Sequence, residues 1–244
     1  ESMNEIIVSK DNLKVKEAFK NKDGKGECFL IEGFHLVEMA LSSQAVIAIF
    51  SLKDYPNQSS VPVYLVTPDI IAKLASTLHP EGIVALCKKK PSVPLSSPRL
   101  LYLDHVNDPG NVGTLLRTAL AFGFHDVVLS SGSAEVYSNK VLLSSQGAIF
   151  ALNVVSEKSN AQEDMKFLLS SGYALVATSL KGAKKPEELP PFEKMALILG
   201  NEARGVDEEI LANSQSIVKI PMAGIDSLNV GVAGGILMYL LQKK

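Results

Sequence analysis

Short apolar runs alternate with amphipathic stretches along most of the chain. In the first part, strand-type runs occur at Cys28–Ile31, Ala45–Phe50, Val63–Val66 and Gly82–Cys87. Apolar residues at helical spacing predict helices at Leu13–Asn21, Phe34–Leu41 and Pro68–Thr77, the last with proline in its first turn. Together these elements predict a small βαββαβ-like domain over residues 1–90.

The stretch from Lys90 to Arg99 has the composition of a linker. Its ten residues include three prolines and three serines. Proline removes a backbone donor and fixes φ, so this stretch can form neither a helix nor a central strand. We therefore expect a linker over residues 91–99.

After the linker, strands and helices alternate regularly, which predicts a second domain over residues 100–244. Such alternation is typical of an α/β fold with a parallel sheet covered on both faces. The expected strands are 100–103, 127–130, 150–155, 174–177, 195–199 and 217–220. The expected helices are 112–122, 139–145, 164–170, 207–212 and 228–241.

Three polar, glycine-containing segments follow predicted strands of this second domain. They are Asn107–Ala119, Leu197–Val206 and Ile220–Gly235. Ligands of parallel sheets bind beyond the carboxyl ends of the strands, so we expect the three segments to share one site.

The third segment is the most unusual of the three. Pro221 and Gly224 interrupt the preceding strand, and small residues follow at 231 and 233–235. We expect Ser227 to cap a closely packed helix whose first turn contains Asn229. Such a corner presents backbone N–H groups and two polar side chains to a ligand.

Together and in this order, the three segments resemble the motifs of SpoU-type RNA 2′-O-ribose methyltransferases, a branch of the SPOUT superfamily. The resemblance runs from about Leu100 to the C-terminus. It implies a trefoil-knotted domain whose loops hold S-adenosylmethionine by backbone groups, with no metal. The sequence departs from the family pattern at Val230–Gly235, where valine and glycine replace the more usual serine and alanine.

The resemblance also implies roles for particular residues. The polar catalytic set that it implies comprises Asn111, Arg117, Glu202, Ser227 and Asn229. The cofactor contacts that it implies are Thr178, Gly200, Ile220, Met222 and Leu228. The residue types suit this chemistry, since the planar guanidinium of an arginine can bind a phosphate through two hydrogen bonds.

Two short N-terminal stretches extend the resemblance. Phe29–Glu38 and His79–Val84 are similar to the substrate-binding domain that precedes SpoU catalytic domains, itself similar to small ribosomal RNA-binding proteins. This similarity implies an RNA partner and favours rRNA over tRNA. The family resemblance also implies a homodimer.

The net charge of the chain leaves functions other than RNA methylation possible. The net charge of −2 argues against indiscriminate nucleic-acid binding. A non-catalytic RNA-binding protein with a methyltransferase fold and a small-molecule-binding α/β protein both remain alternatives. Lysines nevertheless cluster locally, at Lys10, Lys14, Lys16, Lys20, Lys22 and Lys25 and again at Lys88–Lys90.

Cysteine spacing and missing sequence motifs restrict which cofactors the chain can bind and in which compartment it is expected. Cys28 and Cys87 are isolated, and neither they nor the histidines have metal-site spacing. The sequence contains no dinucleotide fingerprint, Walker loop, signal peptide or apolar run long enough to span a membrane. We therefore expect a cytoplasmic protein, with no membrane partner and no metal.

Overall fold

The computed structural model describes residues 5–56, 58–156, 159–181 and 184–243. The chain forms two compact units. The first comprises the described residues up to Pro91 together with Tyr137–Phe150, and the second comprises Ser92–Val136 and the described residues from Ala151 onwards.

Eleven strands and eight α-helices are found among the described residues, named here in chain order. They are β1 (Glu5–Ile7), α1 (Leu13–Lys20), β2 (Cys28–Glu32), α2 (Phe34–Ser42), β3 (Val46–Ser51), β4 (Val63–Val66), α3 (Pro68–Leu74), β5 (Ile83–Lys88), β6 (Arg99–Leu103), α4 (Pro109–Ala121), β7 (Asp126–Leu129), α5 (Asn139–Ser145), β8 (Asn153–Val155), α6 (Ala161–Ser170), β9 (Ala174–Thr178), β10 (Met195–Leu199), α7 (Glu208–Asn213), β11 (Ser216–Val218) and α8 (Val230–Leu241). Short 3₁₀ turns lie at Ala148–Phe150 and Pro186–Glu188.

The first unit is built on a five-stranded sheet of order β1-β4-β3-β5-β2. Strands β1, β4 and β3 are parallel, whereas β5 runs antiparallel to both β3 and β2. Buried aliphatic residues of α1 and α3, such as Val15, Ile70 and Leu74, form one core with the sheet. Strand β1 is absent from the sequence prediction because it has only three residues and two of them are exposed.

Helix α5 belongs to this first unit, although it lies in sequence beyond the linker. It contacts β2. The rings on either side of α5 pack on Phe29 of β2: the ring centroid of Tyr137 lies 4.7 Å from that of Phe29, and the centroid of Phe150 lies 6.1 Å away. Residues 137–150 therefore complete the hydrophobic core of a unit whose other residues precede position 92.

The second unit confirms the parallel α/β sheet predicted for the C-terminal part. All six strands are parallel, in the order β11-β9-β10-β6-β7-β8. Its apolar strands are buried, and residues of α6 and α7 such as Leu168 and Ile210 cover one face. Because the strands are parallel and in register, their carboxyl ends meet at a single edge.

Several predicted element boundaries are wrong by two or three residues. The elements expected at 68–77, 112–122, 164–170 and 217–220 are found at Pro68–Leu74, Pro109–Ala121, Ala161–Ser170 and Ser216–Val218.

Two more misplaced boundaries have a clear local cause. The strand expected at 150–155 begins at Asn153, because Ala148–Phe150 forms a 3₁₀ turn instead. The last helix begins at Val230, not at Leu228, and its N-cap is Asn229 instead of Ser227. The side-chain oxygen of Asn229 accepts hydrogen bonds from Gly231 N and Val232 N, so this residue satisfies the free donors of the first turn.

None of the helices in the described parts of the chain combines the length and the apolar character needed to cross a membrane.

Candidate active site

The loops that follow four neighbouring strands converge at one edge of the second sheet. Thr178, at the end of β9, is in register with Val218, the last residue of β11. Leu199, at the end of β10, is in register with Leu103 of β6. The expected cofactor residues Thr178, Gly200 and Ile220 therefore all lie at the carboxyl ends of adjacent strands.

A chain of side-chain hydrogen bonds joins all three polar segments. The amide nitrogen of Asn111 donates to Oε1 of Glu202 over 3.1 Å. The amide nitrogen of Asn229 donates to Oδ1 of Asn111 over 3.0 Å. Asn111 thus uses its donor and its acceptor at the same time, which fixes the orientation of its amide. Three of the five expected catalytic residues, separated by up to 118 positions in sequence, meet in this chain.

The turn after β10 shows why glycine is needed there. A Cβ atom on Gly200 would lie 2.2 Å from both Gly205 C and Val206 N, so any side chain would collide with backbone. Asn201 and Gly205 close the turn by two backbone hydrogen bonds of 3.1 and 2.8 Å, and Gly205 has a φ of +75°. The closed turn leaves Glu202 exposed, where its carboxylate accepts the Asn111 bond.

Close packing of α8 on α4 brings the third segment to the first. A Cβ atom on Gly234 would lie only 2.3 Å from Cδ2 of Leu115. At the top of the same helix, a Cβ atom on Gly231 would lie 3.5 Å from Oδ1 of Asn111. The small residues of α8 therefore let Asn229 reach Asn111, which confirms the close packing expected from the sequence.

The loop before α8 has the features required to hold a cofactor by its backbone. Within the described part of the chain, residues 220–228 make no intramolecular hydrogen bond, and most are exposed. Their N–H and C=O groups are consequently free for a ligand or for water. Met222 and Leu228 of this loop supply apolar surface beside those groups, with Met222 half-buried. This combination fits S-adenosylmethionine, which has polar ends and an apolar adenine face.

Thr178, expected to contact the cofactor, also has a structural role. Its hydroxyl donates to the carbonyl of Ile198 over 3.0 Å. This bond ties the ends of β9 and β10 together, so the hydroxyl positions the edge of the sheet.

Arg117 and Ser227 stand apart from the hydrogen-bonded chain. Arg117 is exposed on α4, six residues after Asn111, which places it about 9 Å further along the helix axis and on a different face. No hydrogen bond or ion pair with another described residue holds Arg117 or Ser227. The structure therefore brings together Asn111, Glu202 and Asn229, and leaves both other side chains free at the surface.

The sequence did not predict the residues whose hydrogen bonds stabilise the loops at the carboxyl edge of the second sheet. Asp104, only 1 % exposed, accepts a hydrogen bond from the backbone N–H of Asp207 over 2.8 Å, and its other oxygen lies 2.7 Å from Nδ1 of His105. The carbonyl of His105 accepts from the side chain of Asn201. A carboxylate ending an apolar strand is the signal that could have revealed this support. His105 has a φ of +53°, which no sequence pattern indicates.

The described residues contain no cluster of three or more His, Cys, Asp or Glu side chains suited to a metal ion.

Comparison with known proteins reveals relatives along the whole chain. Residues 98–239 match the model of the SpoU rRNA Methylase family, and residues 10–85 match the MRM3-like substrate binding domain. The chain is 35% identical to the 23S rRNA (guanosine(2553)-2′-O)-methyltransferase RlmP of Bacillus subtilis, over 97% of this chain and 98% of that protein.

Solved structures of similar proteins share the same fold. The AdoMet-bound rRNA methyltransferase from Sinorhizobium meliloti superimposes with a TM-score of 0.85 and 25% identity, over 97% of each chain. A putative RNA methyltransferase of the TrmH family from Porphyromonas gingivalis gives a TM-score of 0.84 at 27% identity, over 95% of this chain and 98% of that one.

Proposed function

Since the chain belongs to the SpoU rRNA methylase family, we propose that it transfers a methyl group from S-adenosylmethionine to a ribose 2′-hydroxyl of RNA, with rRNA as substrate. The observation that carries this proposal is the hydrogen-bonded chain of Glu202, Asn111 and Asn229. It joins the three segments that resemble the family motifs, at the sheet edge where ligands of parallel sheets bind.

The residues of this chain have to align the nucleophile and help to remove its proton. Bound S-adenosylmethionine supplies a methyl group already activated on a sulfonium sulfur. The ribose oxygen forms the new O–C bond as the C–S bond breaks, and its proton leaves. Asn229 and Ser227 orient the hydroxyl. Asn111 positions Asn229 by accepting its hydrogen bond, and Asn111 is itself positioned by its hydrogen bond to Glu202.

Arg117 binds the phosphate beside the target ribose in this proposal. Its side chain is exposed and has no partner among the described residues, so it is available to a substrate. A guanidinium loses its proton only above about pH 12, so Arg117 is not the base. A phosphate oxygen of the substrate or a water molecule takes the proton.

The cofactor would be held beyond the ends of β9, β10 and β11 by Thr178, Gly200, Ile220, Met222 and Leu228. The free backbone groups of residues 220–228 support this assignment. The trefoil knot of this region stays a prediction from the family resemblance.

Methyl transfer can be tested with the purified chain, labelled S-adenosylmethionine and three RNAs. The RNAs are unmodified 23S rRNA, unmodified 16S rRNA and unmodified tRNA, each transcribed in vitro. We expect label in an rRNA, located by 2′-O-methyl mapping, and heat of S-adenosylmethionine binding in a calorimeter. If S-adenosylmethionine does not bind at millimolar concentration, the proposal that this chain is a methyltransferase is refuted.

The same assay separates the alternatives. Label in tRNA alone would make tRNA the substrate, a possibility kept open by relatives named as tRNA/rRNA methyltransferases. RNA binding without any methyl transfer would indicate a non-catalytic RNA-binding protein. Binding of neither RNA nor cofactor would favour a small-molecule protein.

The assembly and the domain roles are part of the proposal. Residues 1–90 act as the substrate-binding domain, residues 91–99 as a linker and residues 100–244 as the catalytic domain, in a cytoplasmic homodimer. Within the last range, residues 137–150 pack in the first unit and complete its core. Exposed apolar side chains on α8, including Val232, Tyr239 and Leu240, support a dimer interface on that helix. Light scattering should then give twice the monomer mass of 26.2 kDa.

A further inference from the structure

Eight lysines of the first unit fall into two classes. Members of the first class each lie within 4.0 Å of a carboxylate, so their charge is locally balanced. These pairs are Lys10–Asp69, Lys14–Glu5, Lys16–Asp11, Lys20–Glu17 and Lys25–Asp23. Lys88, Lys89 and Lys90 form the second class, because none of them pairs with a carboxylate in the described parts of the chain. Lys22, Lys53 and Lys73 also have no carboxylate partner in the described parts of the chain, but at the end of β5 three such charges stand at consecutive positions.

These three lysines line a cavity of about 480 Å³ within the first unit. Phe29, Tyr137 and Phe150 line the same cavity, which we call the basic aromatic pocket. Phe29 is buried, whereas the other two rings remain partly exposed. The volume falls inside the range of about 300–1,000 Å³ that is usual for small-molecule sites.

The aromatic wall of the pocket is fixed by its own contacts. The ammonium of Lys89 lies 4.7 Å from the centre of the Tyr137 ring and donates to the carbonyl of Gly24. Gly24 has a φ of +66°, and a Cβ atom there would meet the carbonyl oxygen of Tyr137 at 2.3 Å. The Tyr137 ring is thus held between a lysine and β2, and its position does not depend on a ligand.

The rim of the pocket remains available. Lys88 and Lys90 are exposed, and no hydrogen bond to another described residue occupies their ammonium groups. Gln44, also at the rim, is exposed with a φ of +60° and offers both an amide donor and an amide acceptor. Planar rings, free cations and an amide are the groups with which proteins bind unpaired nucleotides, by stacking, phosphate contacts and hydrogen bonds to base edges.

We propose that the basic aromatic pocket binds one unstacked nucleotide of a single-stranded RNA segment. The base packs against Phe150 and the edge of the Tyr137 ring, and Lys88 and Lys90 hold the adjoining phosphates. This inference deepens the proposed function, on whose RNA substrate it rests. According to this inference, the lysines at the end of β5 contact RNA, and the lysines of α1 that pair with carboxylates do not.

Two double variants that remove the same charge test this division. Lys88→Ala/Lys90→Ala removes the free cations, and Lys16→Ala/Lys20→Ala removes two paired lysines of α1. Binding of a fluorescein-labelled single-stranded RNA is measured by anisotropy at several salt concentrations, without cofactor. We expect the first variant to bind about tenfold more weakly, with the slope of log K against log salt reduced by about 1.4. The second should stay within about twofold of the parent protein.

A tryptophan reporter tests the stacking separately. The chain contains no tryptophan, so Phe150→Trp introduces a single fluorophore at the pocket wall. Titration with the RNA should quench this fluorescence, and a millimolar mononucleotide should do so more weakly. Quenching by a poly-glutamate peptide and not by RNA would overturn the proposal in favour of an acidic protein partner.

The outcomes separate this inference from the methyltransferase proposal. Calorimetry with S-adenosylmethionine on Lys88→Ala/Lys90→Ala should give parent affinity, since neither lysine belongs to the unit that carries the proposed cofactor residues. Equal RNA affinity of the two lysine variants, or no quenching in Phe150→Trp, refutes the pocket even if the parent protein methylates rRNA. Quenching and lysine dependence support the pocket even if no methyl transfer is found.

Discussion

At the scale of single residues, Asn111 is the one whose side chain contacts both other polar segments. Replacement by aspartate keeps its shape but removes the donor to Glu202 and places two carboxylates side by side. We expect kcat for methyl transfer to fall by about 100-fold or more, as when a positioned donor is lost.

The matched control for this variant is Asn213→Asp. Asn213 ends α7, which precedes the amino end of β11, so it lies at the opposite edge of the sheet. Steady-state kinetics should show activity within about twofold of the parent protein. A similar loss in both variants, or full activity in Asn111→Asp, would contradict the role of the hydrogen-bonded chain.

Arg117 gives a second prediction at the residue scale. Arg117→Lys keeps the positive charge but loses the two-pronged contact with phosphate, so methyl transfer should drop about tenfold or more. Its exposure and lack of internal partners predict a change in unfolding free energy within about 0.5 kcal/mol. Rates near those of the parent would rule out bidentate positioning.

The location of the site could be predicted from the sequence, because it follows from the order of strands and polar segments along the chain. The three polar segments were expected together because each follows a strand of one parallel sheet. Within them the family resemblance singled out Asn111, Glu202 and Asn229, and the structure joins these three side chains. The capping role expected for Ser227 was wrong, because Asn229 could equally satisfy the first-turn donors and lies two residues closer to the helix. The support from Asp104 and the positive φ of His105 depend on contacts across strands, which spacing does not encode.

At the scale of elements, the packing of α8 on α4 depends on which glycine faces its neighbour. In Gly234→Ala the new methyl group would lie 2.3 Å from Leu115 Cδ2 and 2.7 Å from Leu199 Cδ1, two buried side chains. Overpacking of this kind should lower the unfolding free energy by about 1–3 kcal/mol. Urea unfolding followed by circular dichroism measures the change.

Gly235→Ala is the control on the same helix. The nearest atom to its new methyl group is Thr118 Cγ2 at 3.8 Å, an ordinary contact. Alanine is also the better helix former, by up to about 1 kcal/mol, so this variant should be as stable as the parent or more stable. Destabilisation by both substitutions to the same extent would contradict a special role for the close approach at Gly234.

The type of most elements was predicted well, but their boundaries were predicted less well, even for the longest helices: α4 begins at Pro109 and not at 112, and α8 begins at Val230 and not at 228. The strand Met195–Leu199 and the helix Asn139–Ser145 have the bounds expected from their patterns. Strand β1 escaped prediction because three residues carry too little periodicity, and the start of β8 was misplaced because Phe150 extends an apolar run through a 3₁₀ turn. Neighbouring apolar residues alone do not distinguish a strand from a turn that is buried by another element.

At the scale of the whole molecule, residues 137–150 belong to a unit from which they are distant in sequence. A fragment of residues 1–91 would lack Tyr137 and Phe150, leaving exposed the ring of Phe29, which is now 1 % exposed. We expect this fragment to bind a hydrophobic dye and to melt at a lower temperature than the same fragment with a peptide of residues 137–150 added.

A scrambled peptide of the same composition serves as the control and should give no gain. If the fragment alone melts sharply without binding dye, then the first unit does not need residues 137–150 for its core.

The same arrangement sets the order of events on the ribosome. When Pro91 has been added, the sheet of the first unit is complete in strands but still lacks the rings that cover β2. Translation must continue for about 60 residues more, roughly 3–12 s at 5–20 residues per second, before Phe150 is made. During that interval the nascent chain carries an uncovered phenylalanine, so the unit that is synthesised first reaches its final form only after β6, α4 and β7 have been translated completely.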